Sequence, residues 1–129
     1  MVGVVVVGHG RLGEAMVEAL ESVAGRQPQF VAVAAREQES PDGIRRRIAE
    51  RVREVNDGAG VIICTDMLGD TETTQALRVA RDTGAEVLAG VNMPMLLKLC
   101  TDRQRVDAPA LAGLLLRYGR DHICCPTAR

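Results

Sequence analysis

One histidine in this 129-residue sequence stands where it could do chemistry: His9, inside the run Gly8-His9-Gly10-Arg11-Leu12-Gly13. Imidazole is a nucleophile at neutral pH, and a ring placed just ahead of a helix lies close to free backbone amides that favour anions. Phosphoryl transfer suits that arrangement. Such a ring needs an acceptor on its other nitrogen, so that one nitrogen stays unprotonated and correctly aimed. Asp66, in the run TDMLGDT, is the best candidate for that acceptor.

The same run spells G-x-G-x-x-G, the fingerprint of a dinucleotide loop, and it follows a strand and opens a helix as that fingerprint requires. Arg36, after the second strand, could then meet a 2′-phosphate. Against this, only four clear strands are written where a full dinucleotide fold uses six, and His9 would crowd the pyrophosphate. Bland accounts exist too: a loop histidine satisfying a local hydrogen bond, and an aspartate capping a helix. The second histidine, His122, falls at the end of a helix and reads as a complement to the helix dipole.

Stepping outward, the elements that carry these residues are legible as alternating strands and helices. Val2 to Val7 is a β-branched run of the kind buried on both faces of a parallel sheet. A helix follows, with Leu12, Ala15, Met16, Ala19, Leu20 and Val23 as its expected apolar stripe. Phe30 to Ala35 is the second strand. Ser40-Pro41-Asp42 then starts a helix buried through Ile44, Ile48, Val52 and Val55, with Arg45, Arg46, Arg47, Arg51 and Arg53 on a solvated face. Gly60 to Thr65 is the third strand and Thr71 to Thr83 the third helix, its inward side expected at Ala76, Leu77 and Ala80. Glu86 to Val91 is the fourth strand. Asn92 and Pro94 open a short helix to Leu99, Asp107 caps a last one carrying Leu111, Leu114, Leu115 and Tyr118, and the tail HICC is a possible edge strand.

This order predicts an α/β fold over residues 1–129 as a single domain: a doubly wound, mainly parallel four-stranded sheet with helices on both faces. Ligands of such sheets sit outside the carboxyl ends of the strands, where GHGR, AAREQES, TDMLGDT and GVNMPM lie.

Composition narrows the partners. Sixteen Lys and Arg against 17 Asp and Glu give a net charge of −1, which offers no general attraction to nucleic acid or anionic membrane. With Phe30 and Tyr118 the only aromatic residues apart from the histidines, stacking platforms for bases or sugars are almost absent. The apolar opening is too short for a membrane span and lacks the features of a signal peptide, so a cytoplasmic location is expected. Cys64, Cys100, Cys124 and Cys125 have neither C-x-x-C spacing nor a nearby second histidine, and read as free thiols.

Taken together, the opening apolar strand leading to GHG, the third strand ending in TDMLG, and GVNMPMLL after the fourth strand resemble the IIA components of the mannose-type (mannose, fructose, sorbose) sugar phosphotransferase system. The similarity spans nearly the whole chain. It implies that His9 accepts a phosphoryl group from the phosphocarrier HPr and passes it to a IIB partner, with Asp66 orienting the ring. It further implies the strand order 2-1-3-4, and a homodimer in which a C-terminal strand, here the HICC tail, crosses to the partner copy. In this scheme the phosphoryl oxygens are met by amides near Gly10 and Arg11, by the Gly69–Asp70 loop opening the third helix, and by the Thr71 hydroxyl. No metal or cofactor is required.

The sequence departs from the family in one loop. Where the family continues as G-G-S/T-P-x-N, this chain has Gly69-Asp70-Thr71-Glu72-Thr73-Thr74. Asp70 and Glu72 would repel a nearby phosphoryl group, or they are helix-capping charges that point away. Besides the sugar-uptake carrier, a regulatory protein read through its phosphorylation state and a small nucleotide-binding module therefore stay open.

Overall fold

The computed structural model describes residues 1–128. Strands β1 (Gly3–His9), β2 (Phe30–Ala35), β3 (Val61–Thr65) and β4 (Glu86–Ala89) alternate with helices α1 (Leu12–Ala24), α2 (Pro41–Val55) and α3 (Thr71–Thr83). Helices α4 (Met93–Asp102) and α5 (Ala108–Asp121) close the chain. The strands form one parallel sheet in the order β2-β1-β3-β4, as expected.

The valine run is buried throughout because both faces of the sheet are covered. Alternate side chains of a strand point to opposite faces. Val4 and Val6 join Ile62 and Cys64 in a core with Leu20, Leu96, Leu99, Leu111 and Leu115, while Val5 and Val7 join Ile63 in a second core with Ile44, Ile48, Val52 and Val79. The stripe expected on α2 is the one observed. Ser40, Asn92 and Asp107 cap α2, α4 and α5 by accepting from the amides of Gly43, Met95 and Ala110.

Two expectations, the inner faces of α1 and α3, are corrected. On α1 the buried residues are Gly13, Val17 and Leu20, whereas Leu12, Ala15, Ala19 and Val23 face outward. The helix is turned by the close approach of Gly13 to the sheet, where an added Cβ would lie 2.9 Å from the Val6 carbonyl oxygen. On α3 the inner side is Glu72, Thr73, Gln75, Ala76 and Val79, and Leu77 is exposed. The tail His122–Cys125 forms no strand in the single chain and leaves Ile123 exposed, since neither sheet edge, β2 or β4, takes it up. All four cysteines are free thiols, and burial pushes that of Cys64 up to about 12. Among the described residues no helix is long and apolar enough to cross a membrane.

Candidate functional site

His9 ends β1 and Asp66 follows β3, the adjacent strand, whose register pairs Val7 with Thr65. The two side chains therefore meet at the switch point of the sheet. Asp66 Oδ2 lies 2.8 Å from His9 Nδ1 and also accepts the His9 backbone N–H at 3.0 Å, and Asp66 Oδ1 accepts the Met67 N–H at 2.9 Å. One carboxylate thus fixes both the residue and its ring. Since Nδ1 faces Asp66, the neutral ring keeps its proton there and leaves Nε2 with a free lone pair. The His9 side chain is 60% exposed.

The turn that presents the ring depends on Gly10, whose φ of +52° falls in the left-handed region. Arg11 follows as the residue before α1. Its side chain is exposed, 3.7 Å from Glu14, and α1 begins without a side-chain cap, unlike the other four helices. The first-turn amides of α1 are left for another acceptor.

The departing loop is drawn into the site. Asp70 caps α3 through Oδ1, which accepts the Thr73 N–H at 2.7 Å, but it does not point away: Oδ2 lies 3.3 Å from His9 Nδ1. Glu72 Oε2 stands 3.7 Å from the same nitrogen. Asp70 is thus a cap that also faces the ring, and Glu72 is a buried neighbour of the same nitrogen. Gly69 and Thr71, on either side of Asp70, are exposed. The hydroxyl that is built in belongs to Thr73, 2.8 Å from the Thr65 hydroxyl and 2.6 Å from the Met67 carbonyl, which ties the start of α3 to the end of β3.

The His9 ring, Asp66 and Asp70 shift one another, and Glu72 acts on the ring. The His9 imidazole is raised above its ordinary 6.5, first by the Asp66 hydrogen bond and then by the Glu72 charge. Burial works to raise the Asp66 carboxyl, but hydrogen bonds from Asp70, the His9 ring and the backbone outweigh it and hold Asp66 well below the usual carboxylate range. Asp70 is raised, by burial and then by its contact with Asp66. Asp70 Oδ2 finds no donor among the described residues as a carboxylate; protonated, it is itself the donor to Asp66.

His122, by contrast, closes α5: its Nδ1 is 2.8 Å from the Tyr118 carbonyl and its ring stacks on Tyr118 at 3.8 Å.

Known proteins share this architecture. The family model for the PTS system fructose IIA component matches residues 3–114. The sorbose-specific EIIA component of Lacticaseibacillus casei is 26% identical over 115 residues, covering 88% of this chain and 83% of that protein. The fructose-specific EIIA component of Bacillus subtilis is also 26% identical, over 89% of this chain and 77% of that one. Among solved structures, phosphotransferase system component EIIA from Streptococcus agalactiae superposes with a TM-score of 0.90 at 21% identity, covering 98% of both chains. A mannose/sorbose specific IIA subunit from Enterococcus faecalis gives 0.87 at 18% identity, over 99% of this chain and 96% of that one. With the family model covering all but the first two residues and the last fifteen, this chain belongs to the fructose IIA component family of the sugar phosphotransferase system.

Proposed function

We propose that this chain is a phosphohistidine carrier, taking a phosphoryl group from HPr on Nε2 of His9 and handing it to a IIB component in sugar uptake. The observation that carries this reading is the pair of hydrogen bonds that Asp66 Oδ2 accepts from the His9 backbone N–H and ring, which holds Nδ1 and leaves Nε2 outward. In-line attack by Nε2 on phosphorus forms the N–P bond as the donor imidazole leaves with its electron pair. Asp66 stabilises the Nδ1–H that the phosphorylated ring keeps. The uncapped amides of α1 around Gly10 and Arg11, and the Gly69–Thr71 turn with the Thr71 hydroxyl, would meet the phosphoryl oxygens.

Exposed apolar residues flank the ring: Leu12 at the start of α1, and Met67 and Leu68 directly after Asp66. They offer a docking rim for HPr and IIB in turn. A homodimer paired through the exposed tail at Ile123 is part of the same reading, and sedimentation of the intact chain reads it.

A second reading, a regulator sensed through its phosphorylation state, is favoured by Asp70 and Glu72, whose charge would make phospho-His9 a poor product and a strong donor. Incubation with phosphoenolpyruvate, enzyme I and HPr, followed by mapping of acid-labile phosphate, tests both. Label is expected on His9 and is lost in His9→Ala; label that survives that substitution overturns the assignment. Onward transfer to a IIB protein then separates carrier from regulator.

A further inference from the structure

The carrier reading uses one of the three carboxyl groups around His9 and gives the other two no task. Asp70 and Glu72 are only 4% and 6% exposed at their side chains, and both Asp70 Oδ2, as a carboxylate oxygen, and Glu72 Oε2 lack a hydrogen-bond donor among the described residues. No lysine or arginine in the described chain pairs with Asp66, Asp70 or Glu72; His9 Nδ1 is the one cationic group near them, and its single proton is committed to Asp66 at 2.8 Å. Burying unpaired oxygens of this kind is costly unless something positive completes them.

The geometry points to a divalent transition-metal site formed by His9 Nδ1, Asp66, Asp70 and Glu72, with Zn²⁺ as the fitting ion. Each residue offers one ligand atom, and the four lie within 4.8 Å of one another. The three oxygens stand 2.8, 3.3 and 3.7 Å from Nδ1. In a tetrahedral site with bonds of about 2.0 to 2.1 Å, ligand atoms are about 3.4 Å apart. The three separations from Nδ1 bracket that value. The ligands come from the end of β1, the end of β3 and the first turn of α3, and the Thr73 hydroxyl braces that turn against β3. An imidazole nitrogen in the set favours Zn²⁺ over Mg²⁺ or Ca²⁺, which take oxygen donors in larger number.

Binding moves protons in a defined way. Nδ1 gives its lone pair to the metal, the neutral ring keeps its one proton on Nε2, and any proton on Asp70 goes to solvent. A ring protonated on Nε2 cannot attack phosphorus, so the ion and the phosphoryl group exclude one another. That consequence rests on the carrier reading; the metal site itself does not.

Titration calorimetry with Zn²⁺ alone, on protein that has met no HPr, tests the site. Every protein in the series carries Cys124→Ser and Cys125→Ser, so that exposed thiols do not bind the ion. One Zn²⁺ per chain is expected, weakened at least tenfold in Glu72→Gln and in Asp70→Asn, the second of which keeps a capping side chain on α3. Nitrogen-15 shifts of His9 should move at Nδ1. Absence of binding, affinity untouched in both variants, or Mg²⁺ bound as tightly as Zn²⁺ overturns the proposal. A chain that binds Zn²⁺ but takes no phosphate sinks the carrier reading alone, and one phosphorylated on His9 that binds no Zn²⁺ sinks this one alone.

Discussion

Charge is buried at both ends of the sheet, and the two ends treat it differently. At the amino-terminal end Arg103 is 2% exposed, with Nε donating to the Val2 carbonyl at 3.0 Å and Nη2 donating to those of Pro28 and Gln29 at 2.6 and 3.1 Å. Its guanidinium lies 5.5 Å from the centre of the Phe30 ring. Burial lowers its pKa, yet a guanidinium stays charged, and the charge is spread over the segments that lead into β1 and β2. At the carboxyl end, three carboxyl groups converge on one exposed ring, and two of their oxygens have no donor among the described residues. One charge is divided among carbonyls that hold strands in place. The other is concentrated around a single ring nitrogen, His9 Nδ1. On the carrier reading, stability and chemistry lie at opposite ends of the same strands, and each should break without the other.

The largest effect should come from Asp66→Asn. An amide can present its NH₂ to the ring and favour the wrong tautomer, and losing an orienting acid of this kind costs on the order of 10³ to 10⁴ in rate. Rapid-quench measurement of phosphoryl transfer from HPr should show that loss with the thermal transition nearly unmoved. Unchanged kinetics in a folded protein would make Asp66 a tether for the His9 backbone and nothing more.

Arg103→Met attacks the opposite end and should do the reverse. Methionine fills part of the volume but leaves the carbonyls of Val2 and Pro28 without their side-chain donor, at about 2 to 4 kcal/mol of stability. Urea unfolding should register the loss, while the transfer rate per folded molecule stays that of the parent. A slower transfer step in the folded fraction would mean that the two ends are coupled through the strands.

How much of this could be read beforehand differs between the two ends. The strands were legible because continuous β-branched runs are rare outside doubly covered sheets, and α2 was legible because its stripe is purely apolar. The phase of α1 was not, because its closest contact with the sheet is made by Gly13, a residue without a side chain for any hydrophobic count to register. On α3 the inner face holds Glu72, Thr73 and Gln75, so that counting apolar positions drew Leu77 inward. His9 and Asp66 could be paired because both types sit at strand ends. For Glu72 two readings stayed open, beside the phosphoryl group or pointing away, since a first-turn acid ordinarily faces water and complements the helix dipole. Arg103 carried no signal at all: nothing local marks an arginine that will be buried against carbonyls from residues 2 and 28.

The smallest effect, and the one that reads the crowding around the ring most directly, is that of Glu72→Gln on the titration of His9. The imidazole is raised above 6.5 by the Asp66 hydrogen bond and then by the Glu72 charge, because both favour the imidazolium. A raised folded value means that the ring's contribution to stability is fully present below pH 6.5 and fades as pH rises through the folded pKa. Transfer has the opposite dependence, since only the neutral ring has a lone pair on Nε2, so the rate should climb with pH through a midpoint above 6.5. Glutamine keeps the size of the side chain and removes its charge, so the midpoint should fall toward 6.5 without reaching it, Asp66 still being in place. The ring is exposed, and added salt should shrink the Glu72 part of the shift more than the Asp66 part, which is a direct hydrogen bond. Proton NMR titration of the His9 ring, with a chelator present to keep metal ions off Nδ1, measures this alongside the rate profile. A midpoint that does not move would mean that the Glu72 charge is screened from the ring at 3.7 Å, and the concentration of charge at this end of the sheet would rest on Asp66 and Asp70 alone.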